Sequence, residues 1–120
     1  MADKPAGGPL PARLPTENDV AKALHYLVLT DEQYAKEIGR VKALEFEIKT
    51  IKAVAFLGAT GTMAEREATA CADSGYQAWV EDYENAVVSR ETTAAKRERA
   101  ALTIEVWRSL NANRRQVGQV

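Results

Sequence analysis

After Pro15 the chain contains no proline, and from Thr16 onward its apolar residues recur at steps of three and four almost to the end. That spacing matches the 3.6-residue helical turn, and a strand would need alternation instead. All four prolines, with Gly7 and Gly8, fall within Met1 to Pro15. The sequence therefore predicts a Pro/Gly-rich flexible arm over 1–15, a single helical domain over 16–115 and a short flexible tail over 116–120. No apolar signal core follows Lys4 or Arg13, and the longest apolar run, Ala53 to Ala59, is far below the roughly 20 residues that cross a bilayer. The single cysteine, Cys71, excludes an intramolecular disulfide. The reading is a cytoplasmic protein, although a secreted protein without disulfides would look the same.

Capping signals divide the helical region into four. Thr16 serves as an N-cap, with Glu17 and Asp19 at the positive end of a first short helix. Val20, Leu24, Leu27 and Val28 share one face of it, and it ends near Leu29. Thr30 and Gln33, at capping-box spacing, begin a second helix of about 40 Å at 1.5 Å per residue, running to Leu57. Its stripe is Tyr34, Ile38, Val41, Leu44, Ile48, Ile51 and Val54. Gly39 lies in its middle, marking close backbone contact or a bend. The segment Gly58-Ala59-Thr60-Gly61 forms a turn, and Thr62 with Glu65 caps a third, short helix from Met63 to about Ala72. Ser74 and Gly75 then end it, glycine supplying a left-handed turn. The last helix follows Tyr76, Val80, Tyr83, Val87, Ala94, Ala101, Ile104 and Trp107 to near Asn113, with a polar middle from Ser89 to Arg99. The fold class is all-α: an elongated antiparallel hairpin of two long helices with two short ones, oligomeric because its stripes exceed what one hairpin covers.

Catalytic equipment is sparse. His25 is the only histidine and has no partner at zinc-ligand spacing, so a structural or surface role is expected. Cys71, in an alanine-rich helix, reads as a small buried side chain. The Gly58–Thr62 segment lacks the lysine of a phosphate loop and follows a helix, leaving only the N–H groups of the third helix to hold a phosphate oxygen. Adjacent carboxylates such as Glu45 and Glu47, Glu65 and Glu67, or Glu81 and Asp82 point to different helix faces. The expectation is a protein that binds without catalysing, with no cofactor, no metal site and no membrane partner.

Charge carries the functional reading. Net charge is −1, but residues 1 to 89 hold 9 basic and 14 acidic side chains, and residues 90 to 120 hold 7 basic and 3 acidic. A basic segment thus follows an acidic body. Arg90, Lys96, Arg97, Arg99, Arg108, Arg114 and Arg115, with Trp107 among them, form a candidate nucleic-acid surface in which cations meet phosphates and an aromatic ring stacks a base. A charged, salt-bridged helix face explains the same residues without a ligand. Tyr76, Trp79 and Tyr83, with Ile48 and Ile51, are the candidate interface between copies or with another protein.

Two stretches have the character of family motifs. Phe56-Leu57-Gly58-Ala59-Thr60-Gly61-Thr62-Met63-Ala64-Glu65-Arg66-Glu67 and Ile104-Glu105-Val106-Trp107-Arg108-Ser109-Leu110-Asn111-Ala112-Asn113-Arg114-Arg115 resemble segments of small helical proteins encoded by tailed phages and prophages. In layout the chain is also similar to phage recombination mediators of the UvsY type. That likeness implies an oligomer that binds single-stranded DNA and helps load a recombinase. The competing expectation is a protein-binding adaptor, an inhibitor of a host or phage enzyme, or a phage assembly subunit.

Overall fold

The computed structural model describes residues 13–118, so most of the proline-rich arm and the last two residues lie outside the described residues. Those described form three α-helices and no strand: α1 (Glu17–Gly58), α2 (Met63–Ala72) and α3 (Ser74–Gly118). The all-helical expectation, with two long helices and a short one between them, is met. Three of the expected boundaries are not.

The first two expected helices are one. Nothing between Glu17 and Ile38 breaks a helix, since that stretch has neither glycine nor proline. Thr30 is buried in the helix interior instead of capping a new start. A capping box needs an N-cap N–H left unpaired by the helix, and a continuous helix leaves none. Gln33 accordingly turns its side-chain amide forward to Glu37 Oε2 at 3.4 Å. The second difference lies between α2 and α3, where a single residue, Asp73, makes the junction with φ −61° and ψ 129°. Its N–H donates to Ala70 O at 3.3 Å. Its carboxylate accepts the Tyr76 N–H at 2.9 Å, so α3 restarts at once and Gly75 is an ordinary helical residue. The only described residue with positive φ is Gly61, at 107°. α3 also runs on to Gly118, so residues 116 to 118 are helical.

Two other ends match their signals. The Thr16 N–H donates to Asp19 Oδ2 at 2.8 Å and the Asp19 N–H donates to Thr16 Oγ1 at 3.2 Å, a reciprocal cap for α1. Arg13 grips the same carboxylate with two nitrogens, at 2.9 and 3.2 Å. The Thr16 N–H and then the Arg13 guanidinium hold the Asp19 pKa down to about 2, from 3.8. A depressed carboxylate pKa supplies stability that is present above the unfolded value and lost as pH falls through the folded one. An NMR titration should place the Asp19 midpoint near 2, and the first turn of α1 should fray between about pH 4 and 2. A midpoint near the ordinary value would mean that this cap does not form in solution.

On each long helix the buried positions and many of the half-buried ones follow one seam. On α1 they include Val20, Ala23, Leu27, Thr30, Tyr34, Glu37, Val41, Leu44, Ile48, Ile51 and Ala55. On α3 they include Tyr76, Trp79, Tyr83, Ala86, Arg90, Thr93, Arg97, Ala100, Ile104, Trp107 and Asn111. Steps of three and four alternate throughout both rows. That 3.5-residue repeat keeps one face turned toward a neighbouring helix, as in a coiled coil. Holding the phase displaces several residues that bulk alone would have placed inside. Leu24, Val28 and Val54 are exposed, and Ala23, Thr30 and Ala55 take the inward positions. Ala100 likewise replaces Ala101.

The chain divides into two compact units. One joins the residues up to Leu29 with those from Arg97 onward, and it buries Val20, Ala23 and Ala100. The other is Thr30–Lys96, with Val41, Leu44 and Ala70 buried. In this second unit the long helices are antiparallel, since Glu37 meets Ser89 and Lys52 lies over the Tyr76 ring. α2 is tied to α1 there by Lys52 Nζ, 2.6 Å from Glu67 Oε1.

Candidate nucleic-acid interface

The basic residues of α3 fall into two groups that look identical in sequence. Arg90 and Arg97 occupy seam positions and are half-buried. In the unit closed by Leu29, Arg97 Nη1 donates to the backbone oxygen of Leu27 at 2.9 Å. In the Thr30–Lys96 unit, Arg90 lies 3.5 Å from Glu91. Arg97 is therefore committed to holding α3 on α1, and half-buried Arg90 already has a carboxylate neighbour. Lys96, Arg99, Arg108, Arg114 and Arg115 are exposed. Lys96 belongs to the Thr30–Lys96 unit and the other four to the first.

Toward the end of α3 helical spacing gathers the cations. Trp107, Asn111 and Arg114 follow at i, i+4 and i+7, so they share one face, and Arg108 and Arg115 make a row beside it. They line an open depression of about 850 Å³ together with Glu105, Ser109 and Ala112. Trp107 is a half-buried seam residue that also lines the depression. Glu105 is the sole acid of the lining, and its Oε1 is 3.1 Å from Arg108 Nη1. Both partners are about two-thirds exposed, at 68% and 65%. Such a pair is worth little and yields readily to a phosphate. Arg115 also sits in the last turn, where a cation favours the negative end of the helix.

At the α2 N-terminus two N–H groups are already taken by a capping box. Thr62 Oγ1 accepts the Glu65 N–H at 3.1 Å, and Glu65 Oε1 accepts the Thr62 N–H at 3.2 Å.

Two polar clusters of the Thr30–Lys96 unit gave no signal in the sequence. Glu37 Oε2 accepts from Ser89 Oγ at 2.8 Å and from Gln33 at 3.4 Å, while Oε1 is buried with no partner of good geometry. The Thr93 hydroxyl, against the opposing effect of burial and aided by Ser89 and Gln33, keeps this carboxyl below its usual pKa. Beside it a cavity of about 240 Å³ is lined by Arg40, Asp82, Asn85 and Ala86 as well as Glu37 and Ser89. The second cluster is Lys52, Glu67, Cys71 and Tyr76. Glu67 raises the Lys52 pKa, and Lys52 lowers that of Glu67. Cys71 is exposed, contrary to the expected burial, with its thiol 3.7 Å from Glu67 Oε1. Ala70, one residue earlier, fills the buried position of α2. Both clusters depend on residues from separate helices, which no local spacing reveals.

The five expected interface residues, Ile48, Ile51, Tyr76, Trp79 and Tyr83, are half-buried seam residues of the Thr30–Lys96 unit. His25 is exposed on α1. Among the described residues, no group of three or more histidine, cysteine, aspartate or glutamate side chains could hold a metal ion, and no helix is long and apolar enough to cross a membrane. Compared with protein-family models, curated proteins and solved structures, the chain matches none.

Proposed function

We propose that the protein is a non-catalytic helical module that binds single-stranded DNA through the C-terminal part of α3. The observation that supports this is the grouping of Arg108, Arg114 and Arg115 around Trp107 on one open surface with a single acid. Three guanidinium groups there can each neutralise a backbone phosphate, and the indole among them can stack an unpaired base. A duplex hides its base faces, so single strands are the preferred ligand. Set beside the likeness to phage recombination mediators, the reading makes a recombinase the protein partner and DNA recombination or replication the setting. Fluorescence anisotropy of a labelled oligothymidylate, titrated with protein at several salt concentrations, tests it. Binding is expected at low salt, and its affinity should fall linearly on a log–log plot as salt rises. An unchanged anisotropy at the lowest salt would end the reading.

A second reading, a protein-binding adaptor, rests on the apolar residues left outside the Thr30–Lys96 seam. Phe46, Leu57 and Met63 are more than two-thirds exposed, at 73%, 76% and 72%. Capture from phage-bearing cells of one specific protein, resistant to nuclease, would favour this reading over the first.

A further inference from the structure

Asn111 has no part in the charge of the C-terminal surface, yet it stands at the centre of it. It lies one turn on from Trp107, half-buried, and lines the same open depression. The Cα–Cβ bonds of a helix tilt toward its N-terminus, which sets the Asn111 amide over the turn that carries Trp107. That amide makes no hydrogen bond among the described residues and is not sealed from solvent.

Folding gives no reason for asparagine at this position. It is one of the poorer helix formers, because its short amide competes with the backbone for hydrogen bonds. Thr103, two turns earlier, spends its hydroxyl on the previous turn, donating to Arg99 O at 3.0 Å. Asn111 does not bond back in this way. Its amide offers a donor beside an acceptor in one plane, open to whatever enters the depression. A phosphate only accepts and suits the three arginines better. A base edge, with its own donor beside an acceptor, is the complement of an amide.

Ring size and edge chemistry then choose among the bases. A purine has two fused rings and covers more of an indole than a pyrimidine does. The adenine N6 amino group lies between N1 and N7, so a donor stands beside an acceptor on either edge. Guanine instead puts two acceptors, O6 and N7, where adenine has one of each. Adenine thus combines the larger stack with an amide match whichever way it turns over Trp107. We propose that this site selects adenine in single-stranded DNA, with Trp107 stacking the ring and Asn111 pairing its edge through Nδ2–H and Oδ1. The inference rests on the single-strand reading given above. Pairing to a base releases no counterion, so it adds to affinity without adding to the salt slope.

Fluorescence anisotropy tests it with labelled oligomers that are abasic except for one central adenine, guanine or thymine. The full chain and its Asn111→Ala variant are compared. Alanine is the better helix former, so circular dichroism should show helicity undiminished. The wild type should bind the adenine strand at least about fivefold more tightly than either of the others. In Asn111→Ala the gap between adenine and guanine should close, with the salt slope unchanged. Equal wild-type affinity for adenine and either other base overturns the proposal, as does an adenine–guanine gap that survives in the variant. If oligothymidylate is still bound at low salt, that failure leaves the single-strand reading standing. If oligothymidylate is not bound, both fall.

Discussion

Replacing Leu44 with alanine should lower stability by about 2–5 kcal/mol, read as a fall in the urea midpoint at constant slope. Leu44 is the largest side chain that is essentially sealed from solvent, at 1% exposure. The other buried apolar side chains of its unit are Val41 and Ala70, both small. A core one seam deep has no second layer that can move in to fill the space a leucine leaves. The backbone on either side is continuous helix, so it cannot collapse into the cavity without losing hydrogen bonds. Burial of so few apolar groups also makes overall stability modest, and a loss of this size is a large fraction of the 5–15 kcal/mol typical of domains. Val28, 73% exposed on the same helix, supplies the contrast. Its change to alanine should stay within about 0.5 kcal/mol. A Leu44→Ala cost below about 1 kcal/mol would mean that the seam is not packed as described.

What could be read from sequence and what could not divides along one physical line. The caps at Thr16 and Thr62 are legible because their partners, Asp19 and Glu65, lie three residues away. Thr30 and Gln33 offer the same spacing but no break in the chain, and spacing alone cannot say whether the helix has already taken up the N–H groups. Seam phase is also hidden. Leu24 and Val28 outrank Ala23 and Thr30 in hydrophobicity, yet only the second pair continues the 3.5-residue repeat. Glu37, Thr93 and Arg97 are hardest of all. Each is charged or polar at an inward position, and what satisfies Glu37 and Arg97 lies 52 residues away at Ser89 or 70 away at Leu27 O. The grouping of Trp107 with Arg108, Arg114 and Arg115 was legible for the opposite reason. Two to three turns of one helix make it, and the period of that helix is known from the sequence.

Reversing charge at Arg108, Arg114 and Arg115 together, each to glutamate, should reduce oligonucleotide binding below detection. Each phosphate contact on a single strand contributes about 0.7 to the slope of log affinity against log salt, so these three account for about two units of it. The milder triple change to alanine should lower the slope by that amount and leave weak binding measurable. Reversal goes further, because three carboxylates repel the strand that three guanidinium groups had drawn in. Folding should survive either change, since all three side chains are exposed and only Arg108 has an ion pair among the described residues, with exposed Glu105. Arg97 separates the two roles of the basic segment. Its guanidinium is hydrogen-bonded to Leu27 O in a half-buried site, so Arg97→Ala should cost stability and leave the salt slope of the remaining folded protein unchanged. If instead Arg97→Ala abolished binding while the triple reversal did not, the ligand would lie on the seam side of α3 and the surface around Trp107 would not be the site.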